Sequence, residues 1–373
     1  MDKNLKILIT LLLVPLSKIY GWVMALRNKF FDWGIFKQES FDIPVVVVGN
    51  IAIGGTGKTP HVEYLISILC SNYKIGVISR GYKRHTKGFV MASATSTPNT
   101  IGDEPYQIMK KFFGRISLAV CEDRRHGIHE LLKINPQIDL ILLDDAFQHR
   151  YVKPSVAIVL MEYNRPVFND KLLPLGRLRE SVAGLNRAEM VIVTKCPQDL
   201  KPMDFRIMKN NLNLFPSQQL LFSKYKYGNL VSVFPDYSMY MPYMEWMKND
   251  DSILAITGIA NPKPFVKYIK SFEAKVKVIH FADHHNFDRS DLDLITTKFN
   301  QLTGEKKLII TTEKDAVRLA NNPYFPTSIK ANVFYLPIEV DFIPYDDVDF
   351  RDAFEKEIAN AMRLKNANKL GNN

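Results

Sequence analysis

The stretch IPVVVVGNIAIGGTGKTP, residues 43–60, decides how the rest of the chain is read. Four valines at 45–48 are stiff at χ1 and favour a buried strand. Gly54, Gly55 and Gly57 let the backbone turn sharply and turn its N–H groups outward, with Thr56 between them. The next residues, KTPHVEYLISILC, carry Val62, Leu65, Ile66 and Leu69 at helical spacing. Strand, glycine turn and helix form the setting in which Lys58 binds phosphate and Thr59 offers its hydroxyl to Mg²⁺. The full pattern has a glycine five residues before Gly57; this chain has Ala52 there, so the match is incomplete.

The same strand-end logic applies to IDLILLDDAFQHR, residues 138–150. An apolar run ends in Asp144 and Asp145, where open parallel sheets bind their ligands. Beside a phosphate loop, such carboxylates read as metal ligands of a nucleotide site. The competing reading makes them caps of a following helix. In IGDEPYQIM (101–109), Asp103 and Glu104 precede Pro105. Spacing alone makes this a helix start with proline at the first helical position. SRGYKR (79–84) and VCEDRRHG (120–127) put Arg80, Lys83, Arg84, Arg124 and Arg125 after strands, with Tyr82 among them. Paired arginines suit a phosphorylated substrate; otherwise they are solvated charge at helix starts. HFADHHN (280–286) holds Asp283 and His284 but lacks the companions of a zinc site. A histidine beside an aspartate is able to orient a base. In TTEKDAVRL (311–319) the acidic residues suit the first turn of a helix.

A chain of 373 residues allows two domains, and a net charge of +10 favours an acidic partner. No long basic run is present, so no nucleic acid is expected, and no obligate protein partner is evident. Cys70, Cys121 and Cys196 are odd in number and widely spaced, which excludes a disulfide framework and fits a reducing compartment. Near the N-terminus an uncharged apolar run of 10 residues (7–16) is too short to span a bilayer. Lys3, Lys6, Lys18, Arg27 and Lys29 flank it, with Trp22, Phe30, Phe31 and Trp33 nearby. That pattern suits a helix lying in an anionic membrane surface.

Apolar strand signals at 44–48, 75–79, 116–120, 138–143, 155–160 and 190–194 alternate with helical segments. The alternation predicts a mostly parallel sheet flanked by helices. An aromatic stretch follows residue 222, with Gly228 and Asn229 reading as the turn of a hairpin. The expected organisation is a membrane-surface helix (1–26), a phosphate-loop domain (27–222), a smaller α/β domain closing over the nucleotide (223–350), and a C-terminal helix and tail (351–373). Phe350, Phe354 and Ile358 mark that helix, and the last residues, KNANKLGNN, are expected to be disordered.

Taken together, VGNIAIGGTGKTP, ISRGYKR, GDEP, LLDDAFQHR, VIVTK, ITGIANP, FADHH and TTEKDA resemble the tetraacyldisaccharide 4′-kinases of lipid A synthesis in Gram-negative bacteria. The resemblance spans residues 48–316. It implies a P-loop NTPase-like fold with a second, smaller α/β domain and an N-terminal membrane-associated helix. It also implies transfer of the ATP γ-phosphate to the 4′-hydroxyl of an acylated glucosamine disaccharide 1-phosphate, at the cytoplasmic face of the inner membrane. Gly54, Gly55, Thr56, Gly57, Lys58 and Thr59 carry over as ATP ligands. Thr59, Glu104, Asp144 and Asp145 carry over around Mg²⁺. Asp103 matches the proposed base, with His284 after Asp283 as its partner. Asn50, Arg80, Tyr82, Arg124, Gln148 and His149 fall in substrate-side motifs. Ala146 stands where the family usually has glycine, and PLGRLRE departs from its usual form, leaving Arg177 and Arg179 without a role. The alternative is a membrane-associated regulatory P-loop ATPase or GTPase that phosphorylates no lipid.

Overall fold

Runs of β-branched and leucine residues become strands where helices cover both faces of a sheet. The computed structural model describes residues 3–371 apart from 239–241, 284 and 347. Helix α1 (Lys3–Asp32) leads to β1 (Val45–Gly49), α2 (Lys58–Leu69), β2 (Ile75–Ser79), β3 (Val90–Met91), α3 (Pro98–Ile101) and α4 (Asp103–Lys111). Next come β4 (Ile116–Val120), α5 (Arg124–Ile134), β5 (Leu140–Asp144), β6 (Val156–Glu162), β7 (Met190–Thr194), α6 (Pro202–Leu212) and β8 (Gln219–Tyr227). The second unit holds β9 (Val231–Ser232), β10 (Ser252–Thr257), α7 (Lys263–Ile269), β11 (Lys275–His280), α8 (Arg289–Asn300), β12 (Lys307–Thr312), α9 (Glu313–Ala320) and β13 (Val333–Leu336). Strand β14 (Ile338–Ile343) and helix α10 (Phe350–Gly371) close the chain.

The large sheet runs β14-β8-β7-β6-β1-β5-β2-β4-β3 and is parallel except for β3 and β14 at its edges. Strand β1 lies between β5 and β6, where the connections change direction, and the crevice at that point is a ligand site in such sheets. The register pairs Val48 with Asp144, so the acidic pair lies beside the exit of β1. Alternate residues feed two cores. Val45, Val47, Ile141 and Leu143 face one side; Val46, Val48, Leu140 and Leu142 face α2 and α10. Phe350, Phe354 and Ile358 of α10 are buried in the second core, as their spacing predicts. Helix α10 continues through Gly371, so the tail expected to be disordered is helical up to that residue.

The smaller sheet runs β11-β10-β12-β13-β9, with β9 antiparallel at its edge. No hairpin forms at Gly228 and Asn229. Strand β8 pairs instead with β14, Tyr225 opposite Val340, while β9 pairs with β13. The edge of β8 is filled by the returning chain, so the local turn signal does not choose the partner. The small sheet therefore draws on residues 231–336, and the chain crosses between sheets twice, with Gly228 N–H donating to Pro337 O at 3.0 Å.

Helices α4 and α9 meet across the two units. The Tyr106 hydroxyl bonds Asn321 Oδ1 at 3.2 Å, and Lys111 reaches Glu63 at 2.6 Å and Glu313 at 3.5 Å. Burial, then the Glu63 charge, pushes the Glu313 carboxyl up to about 7. A raised carboxyl favours folding while it stays protonated, and that contribution is lost as pH rises from its ordinary 4.5 through about 7. Glu313→Gln removes this term. Thermal unfolding of both proteins across that window is expected to show the wild type losing roughly 3 kcal/mol relative to the variant as pH rises. A pH-independent difference between them overturns the assignment.

Candidate active site

The phosphate loop is braced from inside the protein. Gly57 caps α2 in the left-handed region, at φ 93°, and a Cβ there would strike the Tyr225 hydroxyl. Gly54 also has positive φ, at 128°, whereas Gly55 has open space around it. Asn50 Nδ2 donates to Thr56 Oγ1 at 2.8 Å, and Thr194 Oγ1 donates to Thr56 O at 2.8 Å. The Thr56 side chain is thus turned into the protein. His61 Nδ1 lies 2.8 Å from Gly57 O, and its Nε2 lies 3.0 Å from Ser223 Oγ. Burial pushes His61 down to about 4, so the ring is neutral at physiological pH. A neutral ring satisfies both contacts when Nδ1 carries the proton for the Gly57 carbonyl and Nε2 accepts from serine.

At the end of β5, the Asp144 carboxylate is buried. Its Oδ2 accepts from Ser79 Oγ at 3.2 Å, and Oδ1 is buried with no hydrogen-bond partner. Burial, then Glu104 and Asp145, pushes it up to about 7. Asp145 sits at φ 46° and turns its Oδ1 toward Lys58 Nζ at 3.6 Å and Arg179 Nη1 at 3.1 Å. Burial works to raise its pKa, but Lys58 and Arg179 outweigh it and hold the carboxyl below its ordinary value. Two adjacent carboxylates therefore differ in charge preference: Lys58 and Arg179 outweigh burial at Asp145, whereas burial and the neighbouring carboxylates outweigh Lys58 at Asp144.

An orphaned buried oxygen fits a cation. Among the described residues no group of three or more His, Cys, Asp or Glu side chains is placed to hold a metal. Mg²⁺ takes one or two carboxylates and completes its shell with substrate phosphates and water, and the Asp144 carboxylate with its unmet Oδ1 suits such a role. Thr59 lies in the first turn of α2, on the same edge.

Several residues assigned from motifs hold this turn through protein contacts. The buried Arg124 guanidinium donates to the carbonyls of Cys121 and Glu122 at 3.2 and 3.0 Å, and to those of Asp144 and Asp145 at 3.5 and 3.4 Å. Gln148 Nε2 donates to Asn50 O at 2.6 Å and Glu180 Oε1 at 3.0 Å, while its Oε1 accepts from Arg179 at 3.2 Å. His149 Nε2 accepts from the Arg124 backbone at 3.3 Å. Burial, then the Arg124 charge, pushes His149 down to about 4. Arg80 and Tyr82 are exposed at the edge of the site, and Arg84 is pinned to Glu122 at 2.6 Å.

The remaining groups gather where the two units meet. Helix α4 begins at Asp103, after Gly102 at φ 92°, so Pro105 is its third residue and not its first. The Gly102 carbonyl already accepts from Tyr106 N–H at 3.1 Å, which moves the helix start forward. Asp103 pairs with Arg318 of α9 at 2.5 Å, and Asp283 lies 3.8 Å from Lys314. Lys314 and Arg318 are one helical turn apart, so both aspartates address the same helix. Asp315 is buried beside them and accepts from Gly258 N–H at 2.8 Å and Thr312 Oγ1 at 2.7 Å. His284 lies outside the described residues. His285 and His280 bond Asp291 at 2.6 Å and Thr257 at 3.0 Å.

Motif reading left Arg179, Arg318 and His61 without a role. Arg179 and Arg318 lay within quoted stretches, but their partners are distant in sequence. His61 carried a usable signal: one turn into a helix that starts at a phosphate loop, its ring reaches the Gly57 carbonyl.

The profile of the tetraacyldisaccharide-1-P 4′-kinase family, LpxK, matches residues 9–359. A tetraacyldisaccharide 4′-kinase of Bacteroides thetaiotaomicron is 48% identical over 95% of this chain and 94% of its own length. One of Flavobacterium johnsoniae is 42% identical over 89% and 92%. Among solved structures, LpxK from Aquifex aeolicus in complex with ATP is similar, with a TM-score of 0.71 and 26% identity over 94% of this chain and 98% of that one. With a matching profile over nearly its whole length, the chain belongs to the tetraacyldisaccharide-1-P 4′-kinase family.

Proposed function

We propose that this chain transfers the γ-phosphoryl group of ATP to the 4′-hydroxyl of a tetraacylated glucosamine disaccharide 1-phosphate, in lipid A synthesis. Family membership supports the reaction. The observation that carries the assignment of roles is that the glycine turn and the acidic pair share one strand edge, with Lys58 within 3.6 Å of Asp145. Gly54, Gly55, Thr56 and Gly57 offer backbone N–H groups to the phosphates, and Lys58 exchanges Asp145 for them. Thr59 and Asp144 would hold Mg²⁺, with Asp145 and Glu104 beside them. When bound, Mg²⁺ neutralises the charge that builds on the phosphates.

Asp103 receives the proton of the 4′-hydroxyl as its oxygen bonds the γ-phosphorus. The bond from that phosphorus to the bridging oxygen breaks, and ADP leaves. His284, next to Asp283 in the chain, orients Asp103 or relays its proton. Asp103 and Asp283 belong to different units, so closure over ATP assembles the site and excludes water. Arg80 and Tyr82 meet the acceptor. Asn50, Arg124, Gln148 and His149 fix the acidic turn from behind.

The acceptor's acyl chains stay in the bilayer, so the enzyme works at the cytoplasmic face of the inner membrane. Leu12, Leu16, Ile19, Trp22, Val23 and Leu26 form an exposed apolar stripe on α1, with Trp22 at 79% exposure. No described helix is long and apolar enough to cross a membrane. That stripe supports a helix lying in the surface, drawn to anionic lipid by its basic flanks.

Three outcomes test this reading. With labelled ATP and the disaccharide 1-phosphate, label is expected in a 4′-phosphorylated lipid, and Lys58→Ala or Asp144→Ala is expected to slow its formation by roughly 10²-fold or more. Label released only as inorganic phosphate favours a regulatory ATPase. Replacing Leu16, Ile19 and Trp22 together with serine should reduce sedimentation with anionic vesicles and make the residual binding weaker still in salt; unchanged sedimentation removes the surface role. Finally, Asp103→Ala and His284→Ala should each cut the single-turnover rate while sparing ATP binding, and the double variant should be scarcely slower than the worse single one. Independent multiplication of the two losses rules out the pair.

A further inference from the structure

Helix α1 has two faces of different chemistry. Opposite its exposed stripe, polar side chains recur at helical spacing and bond the 172–180 loop and, through Arg27, the turn after β5. Ser17 Oγ donates to Leu172 O at 2.8 Å, and the Tyr20 hydroxyl donates to Arg179 O at 2.8 Å. Asn28 Nδ2 donates to Glu180 Oε2 at 3.2 Å, and Arg27 Nη2 donates to Gln148 O at 3.0 Å. Gly21 packs so closely on Leu172 that a Cβ there would lie 2.7 Å from its Cδ1. An anchor alone needs only the apolar stripe. These contacts do something else: they order the backbone from residue 172 to residue 180.

That loop leads straight into the nucleotide edge. Arg179 N–H donates to Ile51 O at 2.7 Å and Ile53 N–H donates to Arg177 O at 2.8 Å, a short antiparallel ladder on the entry to the glycine turn. The Arg179 side chain then reaches Asp145 Oδ1 at 3.1 Å and Gln148 Oε1 at 3.2 Å. Next to it, the buried Glu180 carboxylate is shared by Asn28, Gln148 and Arg187, the last at 2.5 Å. Removing a partner from a buried carboxylate is costly, so this cluster resists rearrangement while α1 is seated.

We propose that Tyr20 and Asn28 are positioning residues for phosphoryl transfer: the seating of α1 fixes the 172–180 loop, and through Arg179 it sets Asp145 and the entry of the phosphate loop. The membrane-facing helix is therefore a structural part of the nucleotide site as well as its anchor. This rests on the kinase reading, but the loop ordering it requires is measurable without any acceptor.

The test uses the full-length protein with detergent-dispersed acceptor, so that anchoring does not limit the rate. Tyr20→Phe loses one hydroxyl and keeps its ring; Asn28→Ala loses the contact to Glu180. Each is expected to lower kcat by about five- to tenfold, with KM for ATP and vesicle sedimentation unchanged. In an Arg179→Ala background, Tyr20→Phe is expected to cost less than about twofold, because no guanidinium remains to be positioned. A merely structural tyrosine would give multiplying losses instead. Hydrogen exchange at residues 172–180 reads the loop directly and is expected to be faster in both variants. Wild-type kcat in Tyr20→Phe, multiplying losses with Arg179→Ala, or unchanged exchange overturns the proposal. A wild type that makes no phosphorylated lipid overturns the kinase reading alone, and the exchange measurement still decides the coupling.

Discussion

A carboxylate buried at the end of a central strand is the constraint on which the rest of the site depends. Asp144 has one oxygen satisfied by Ser79 and one with no partner, in a position where burial strongly disfavours charge. A native fold tolerates such an atom at low cost only if something else meets it in the working state. The neighbouring turn is built around that need. Asp145 is forced into the left-handed region and tied to Lys58 and Arg179, and Arg124 holds both carbonyls from beneath. Little of this cluster is free to relax, so Asp144 keeps its orphaned oxygen at the end of β5, in register with Val48 of β1, the strand that leads to the glycine turn.

The second unit is joined to the first by two chain crossings and by side-chain contacts between α4 and α9. Two chain crossings lie side by side at Gly228 and Pro337 and share a backbone hydrogen bond. Across the junction, the contacts near the site include polar and charged pairs, Asp103 with Arg318, Lys111 with Glu313 and Tyr106 with Asn321, beside Val317, which packs on the apolar core of the large unit. Charged contacts of this kind exchange partners more readily than a packed apolar interface does. Helix α9 presents Lys314 and Arg318 one turn apart, so one helix of the second unit pairs with both Asp283 and Asp103.

The parts of this architecture that are local in sequence were legible. Strand, glycine turn and helix lie within 43–69, and an apolar run ending in two aspartates announces a strand edge without reference to any other segment. Partners distant in sequence were not. Arg179 lies 34 residues from Asp145, and Arg318 lies 215 residues from Asp103, so no spacing rule links them. Arg124 read either as a cation for a phosphorylated substrate or as solvated charge at a helix start; its burial follows from the packing of α5 against the sheet. The turn at Gly228 failed as a hairpin for a related reason. Turn residues specify that the chain bends, but an edge strand takes whichever partner reaches it, and β14 returns from beyond the whole small sheet to do so.

The position of α1 follows from the same economy. A helix of 30 residues, about 45 Å long, would make an adequate surface anchor if it merely trailed from the domain. Instead Phe31 is buried against Tyr151 and Phe36, and Arg150 joins Asn28 and Asp32, so the C-terminal half is part of the large unit. The inward face of α1 carries hydrogen-bonding groups because it packs on the large unit, where Ser17 and Tyr20 meet backbone carbonyls, while its outward face leaves leucine, isoleucine and tryptophan exposed, so the helix divides into a seated face and an open apolar one.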